Sequence, residues 1–185
     1  MLAEAYVYLT SVAATPHGFR RHLPSAIGLW SRGVRQAKAW VPHIANTRGL
    51  IDVAIDDFPT RRAVAVLGSG PLFDVPLEAL GRTFGRVHLV DQAHLSTIGE
   101  RTRRYGNIER HWRDLSAART TDPLGFLGTM PDLDWVISTN LASQLARGAP
   151  PGAERQVIDS HLAQLAALPC RATLITDVNY RVVDR

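Results

Sequence analysis

The rhythm of apolar positions changes once along this chain, near Arg62. Before it, Ile27, Leu29, Trp30, Val34, Ala37 and Val41 recur mostly three or four residues apart, which predicts an amphipathic helix opening at Pro24-Ser25. Pro42 is expected to interrupt that helix. A second helix is expected over Ile44 to Ile55, with Asp56-Asp57-Phe58-Pro59 as its exit. After Arg62, short continuous apolar runs alternate with helical patterns. They predict strands near 63–67, 86–90, 107–112, 134–138 and 171–176, and helices over 75–84, 94–104, 140–147 and 153–167. Five strands separated by helices imply a mostly parallel sheet covered on both faces, and right-handed crossovers make it doubly wound. The connection 115–131 is long enough to hold a short helix or part of a site. The expected fold is therefore α/β, with residues 1–60 as an N-terminal helical cap or extension and 61–185 as the sheet domain.

Bulk properties narrow this only a little. At 185 residues the chain suffices for one domain with a real core. The formal charge is +4, and of 21 lysines and arginines only Lys38 is a lysine. So strong an arginine bias, beside abundant Ala, Gly and Pro, points to genome composition more than to nucleic acid. One segment, 17–41, does carry Arg20, Arg21, Arg32, Arg35 and Lys38 with no acid among them. It reads as a solvated helix face or as a surface for an anionic partner such as RNA. Cys170 is the one cysteine, which rules out a disulfide framework and a cysteine-based metal site. Ala5 to Leu9 lack the basic flank of a signal peptide, and no run approaches the ~20 apolar residues that span a bilayer. A cytoplasmic protein without a membrane anchor is expected.

The chemistry concentrates where strands end. The buried run Ala63 to Leu67 runs into Gly68-Ser69-Gly70-Pro71, and the run Val87 to Val90 ends in Asp91. Glycines let a ligand approach the backbone, and an acid at that distance accepts hydrogen bonds from ribose hydroxyls. Asp91 can alternatively cap the helix expected to start near His94. Downstream stand Arg113-Asp114-Leu115, and then Asp134 to Leu141 with Ser138-Thr139-Asn140 at the turn.

In this order and spacing, the stretch from Ala63 to about Asp177 resembles the class I S-adenosylmethionine-dependent methyltransferases, a Rossmann-like family. The resemblance implies S-adenosylmethionine as cofactor, bound by Gly68, Ser69, Gly70, Asp91 and Asp114, with Asp74 a stand-in for an acid the family places elsewhere. It implies that Asp91 binds the ribose and Asp114 the adenine amino group, a surface salt bridge being the other reading of Asp114. Asn140 falls where substrate and methyl group meet in the family, unless it caps the next helix. The chain departs from the family at Val66, where an acid is usual, and at Leu72, where a third glycine often stands. It also reaches Arg185 soon after the fifth strand, so the family's final β-hairpin is expected to be missing. The apolar edge strand 171–176 would then be covered by a homodimer partner, by the N-terminal helices or by further chain.

Methyl transfer needs an in-line approach and desolvation more than a strong motif, and a nitrogen or oxygen acceptor often uses a base. His94 is the nearest sequence candidate, with His111 and His17 behind it. His88, inside a strand, reads as a core residue. Tyr6, Tyr8, Trp30 and Trp40 supply either a lid or helix core. No linear metal motif, nucleophile elbow or P-loop appears, and no metal is expected. Phe73, where a dinucleotide fingerprint needs a small residue, opposes a nicotinamide-dependent reductase. The sequence favours methyl transfer to a small molecule. A non-catalytic scaffold that kept the fold and an RNA methyltransferase are its rivals.

Overall fold

The structure is a computed structural model describing residues 2–116 and 122–176. Part of the 115–131 connection, and the end of the family-like stretch at Asp177, lie outside the described residues. Strands β1 (Ala63–Leu67), β2 (Arg86–Asp91), β3 (Ile108–Trp112), β4 (Leu133–Thr139) and β5 (Arg171–Ile175) form one parallel sheet in the order β3-β2-β1-β4-β5. That is the Rossmann order, with the chain reversing direction across the sheet between β1 and β4. Helices α4 (Leu77–Thr83), α5 (Ser96–Thr102), α6 (Ala142–Gly148) and α7 (Glu154–Ala166) alternate with the strands as the apolar pattern predicts. A short 3-10 helix, Gly125–Thr129, fills the described part of the long connection.

The sheet's two faces are separate cores. On one, Val64, Val66, Val87, Leu89, Trp135 and Ile137 pack with residues of α4 and α5. The same cluster takes in Leu23, Ile27, Ile51 and Ile55 from the N-terminal helices. On the other face Ala65, Leu67, Val90 and Val136 meet Leu124, Leu127, Leu145 and Leu165. Trp135 anchors the first core, its ring 4.8 Å from Phe58 and 6.0 Å from Phe84. Its indole N–H donates to Thr173 Oγ1, so a fully buried aromatic leaves no polar atom unpaired there. On the other face Ser138 and His161 bond to each other at 2.9 Å, and burial holds the His161 imidazole below its usual pKa. β5 pairs only with β4 among the described residues, and Leu174 there is 38% exposed.

The N-terminal helices differ from the sequence expectation. α1 (Leu2–Ala14) precedes a 3-10 turn, His17–His22, and then α2 (Leu23–Arg35) and α3 (Ala37–Asp56) follow. The break falls at Gln36, with φ −100° and ψ 17°, and Pro42 lies inside α3. Pro42 removes one backbone donor, yet it and Lys38, four residues earlier, sit on the exposed side where water reaches the released carbonyl. Tertiary packing meets the chain on both sides of this break. Phe73, from the loop after β1, presses its ring against Gly33 of α2 and meets Trp40 of α3 edge-on at 6.3 Å. A Cβ on Gly33 would lie 2.1 Å from the Phe73 ring.

This contact can be tested by a reversal of sign. Gly33→Ala should destabilise the wild-type protein by about 1–2 kcal/mol in urea unfolding, through overpacking against Phe73. In a Phe73→Ala background the same change should stabilise by about 0.5–1 kcal/mol, the ordinary helix preference of Ala over Gly. The same sign in both backgrounds would dismiss the wedge.

Candidate functional site: a cleft at the strand ends

The floor of the site is the turn after β1. Gly68 has φ +68° and Gly70 φ +48°, conformations that favour glycine. Their reasons differ. A Cβ on Gly68 would crowd Leu141 Cβ at 3.1 Å and the Thr139 carbonyl at 3.2 Å, so this glycine lets the turns after β1 and β4 touch. A Cβ on Gly70 would meet only the Gly68 carbonyl at 3.8 Å, so the backbone here lies bare. Leu72 stands where the family often has its third glycine, and it keeps a glycine-like φ of 60°. Its fully buried side chain, within the first core, offsets a strain of about 1–2 kcal/mol. Val66, at the family's acid position, is a core residue. Arg101 of α5 donates to the Pro71 and Leu72 carbonyls at 3.1 Å each and pins the loop from beneath.

Asp91 closes the turn from the β2 side. Its Oδ2 accepts the Gly70 N–H at 2.8 Å and its Oδ1 accepts the Ala93 N–H at 3.1 Å. The second bond is an Asx-turn within the loop. α5 starts at Ser96 with no side-chain cap, so Asp91 does not act as its cap. Each oxygen keeps a lone pair for a further donor. Gln92, the next residue, donates to Asp114 Oδ1, which also accepts from the Ser116 N–H and hydroxyl. Burial raises the Asp114 pKa, but these bonds outweigh it and hold the carboxyl below its usual value. Asp114 makes no salt bridge among the described residues.

Across the sheet, Asn140 sits at the end of β4 with φ 50°, its N–H donating to the Ile175 carbonyl. Its side chain caps nothing: α6 has Leu141 at its N-cap position and no side-chain cap. Instead Nδ2 donates to Asp74 Oδ2 at 2.6 Å and lies 3.4 Å from His43 Nε2. Asn140 Oδ1 is buried and has no hydrogen-bond partner among the described residues. Glycine loop, β4 turn and α3 thus converge on one amide.

These groups line a two-lobed cleft. One lobe, about 440 Å³, is bounded by Gly68, Gly70, Asp74, Asn140, Trp40 and His43. The other, about 310 Å³, is bounded by Gly70, Asp91, Gln92, His22 and Ser25. Leu29, Arg32, Gln144 and Arg147 belong to both, so the lobes join. Their size suits a small-molecule ligand, and the cleft opens between β1 and β4, where sheets of this kind bind ligands. Among the described residues neither Arg32 nor Arg147 has a salt-bridge partner.

Other sequence candidates lie elsewhere. Ser69 is buried, its hydroxyl unpaired, and does not line the cleft. His94 is fully buried, its Nε2 against the His111 carbonyl at 3.1 Å and its ring edge-on to Trp112. Burial lowers its pKa. His17, Tyr6 and Tyr8 are exposed outside the cleft lining, and Trp30 packs on the core. Of the four proposed lid aromatics, Trp40 alone reaches the cleft wall. His43, Arg101, Gln144 and Arg147 were not singled out by sequence, since helix-surface Arg, His and Gln carry no signal until the partner loop is in place.

The parallel order 3-2-1-4-5, the glycine turn after β1 and the acid ending β2 fit a Rossmann-like doubly wound sheet. No family model and no curated protein matches the chain. Among solved structures it is similar to the 23S rRNA methyltransferase ErmE, at 15% identity and a TM-score of 0.42, over 71% of this chain. The match covers 46% of that protein, so the chain spans about half its length.

The backbone of Asn140 gives a test. Asn140→Gly should be more stable than Asn140→Ala by about 1 kcal/mol in thermal or urea unfolding, because only glycine takes this φ freely. Equal stabilities would show that the turn relaxes out of the left-handed region.

Proposed function

We propose that the cleft binds S-adenosylmethionine and that the protein transfers its methyl group to a small molecule carrying an anionic group. The observation that carries this reading is the convergence of bare Gly70 backbone, the Asp91 carboxylate and the bonded Asp74–Asn140 pair along one cleft at the β1/β4 switch point. Asp91 would take the ribose hydroxyls on its remaining lone pairs, with Asp114 held beside it through Gln92. Gly68 and Gly70 would receive the amino-acid end, and Asp74 its ammonium group. Bound there, the cofactor supplies an electrophilic methyl group.

The chain's own residues then position the acceptor. Asn140, held by Asp74 at the end of β4, lines the lobe where the acceptor would sit. His43, the imidazole of that lobe, takes the base role that sequence alone placed on His94. Arg32 and Arg147 hold the acceptor's anion, and Trp40 with α2 and α3 excludes water. A dinucleotide fits less well, because pyrophosphate binding uses a helix that starts in the glycine turn, and α4 starts only at Leu77.

One observation favours RNA as acceptor: Arg20, Arg21, Arg32, Arg35 and Lys38 are all exposed on the helices beside the cleft. Arg35 is already paired with Glu4, and Arg20 and Arg21 donate to Thr15 and His22, so the small-molecule reading stands first.

Calorimetry with S-adenosylmethionine and S-adenosylhomocysteine decides the cofactor. Micromolar binding is expected, weakened at least ~100-fold in Asp91→Ala, the worth of two hydrogen bonds to a charged group. Circular dichroism and melting must show that the variant folds, since it also loses the acceptor for Gly70 and Ala93. Absence of binding by the wild type rejects this function and favours a scaffold. Salt-sensitive RNA binding lost when Arg20, Arg21 and Arg32 are neutralised would replace the small-molecule acceptor.

A further inference from the structure

Away from the cleft, β2 and β3 bring three ligating side chains together. The parallel register sets His88 opposite Glu109 and Val90 opposite His111. Positions two apart share a sheet face, so His88, Glu109 and His111 all project to the side that Val90 shares with the second core. One atom from each forms a triangle. His88 Nδ1 lies 2.9 Å from His111 Nε2 and 3.5 Å from Glu109 Oε2, and His111 Nε2 lies 3.7 Å from that same oxygen.

We propose that His88, Glu109 and His111 bind a divalent transition metal of the Zn²⁺ class, clipping edge strand β3 to β2. A tetrahedral ion with ligand bonds of about 2.0–2.1 Å holds its ligand atoms about 3.3–3.4 Å apart. The three observed sides bracket that value, so small side-chain adjustments seat the ion. Two imidazoles and a carboxylate suit zinc and its late neighbours, and they do not suit calcium or magnesium, which take oxygen ligands.

The surrounding charges still leave one carboxylate oxygen available. Arg86 Nε lies 3.5 Å from Glu109 Oε1, engaging the other carboxylate oxygen and leaving Oε2 for the ion. Arg86 and Arg113 are the nearby cations; they repel any divalent ion alike, so the imidazole and carboxylate bonds must outweigh them. His88 is buried, whereas the Glu109 side chain is 53% exposed. The fourth position therefore opens to water.

The test uses the full chain after chelation. Calorimetry with Zn²⁺ should show one equivalent bound, and Co²⁺ should give the visible absorption of a tetrahedral centre. His111→Ala and Glu109→Gln change residues that are not buried and leave His88 intact. Each should weaken Zn²⁺ binding at least ~100-fold and abolish the Co²⁺ spectrum and the Zn²⁺-dependent rise in melting temperature. The chain has seven histidines, so binding at other surface imidazoles would persist unchanged in both variants. That result, or no binding by the wild type, overturns the proposal.

Discussion

The contact between the turns after β1 and β4 sets the rest of the site. At Gly68 the chain turns with a positive φ and brings its α-carbon against Leu141 and the Thr139 carbonyl, a space any Cβ would crowd. Because the turns touch, Asn140 reaches Asp74 across the end of the sheet. Because the first turn is tight, Gly70 presents its N–H to Asp91 on the other side. One backbone approach thus fixes the relation between a β2 acid and a β4 amide that are far apart in sequence. Catalysis by positioning requires that kind of fixed relation.

A second packing event closes the cleft. Phe73 leaves the same loop and enters the angle between α2 and α3, against Gly33 and Trp40. Ile27, Ile51 and Ile55 then extend the core under the helices, so the wall carrying Arg32, Trp40 and His43 is seated on the sheet's own hydrophobic cluster. The wall and the glycine loop are mechanically one piece.

The sheet was legible because parallel strands are buried on both faces and read as unbroken apolar runs, as Ala63 to Leu67 does. The glycine turn was legible at the end of an apolar run and Asp91 from its spacing to it, whereas Asp74 entered only through the family resemblance. The helix break at Gln36 was not, since Phe73, which packs on both sides of it, lies far along the chain, while Pro42 gave a local signal at an exposed position. His94 looked catalytic because it follows Asp91 closely, yet a ring packed on Trp112 belongs to the core. Asn140 looked like a cap because Asn prefers that position. Only the Gly68–Leu141 approach shows that its amide has another partner.

The histidines of β2 and β3 show the same limit of linear reading from another side. Helical metal motifs appear as fixed spacings in one segment, whereas a site spanning two strands appears only once the register is known. Here Glu109 and His111 alternate along one strand, and the register alone supplies His88. β3 is an edge strand with β2 as its one strand neighbour among the described residues, so, like β5, it is held by backbone bonds on one side only. Asp114 follows it by two residues and bonds Gln92 beside Asp91. Whatever fastens β3 to β2 therefore also steadies Gln92, which lines the cleft. A metal bound there would act on the cleft through strand position, without contributing a ligand to it.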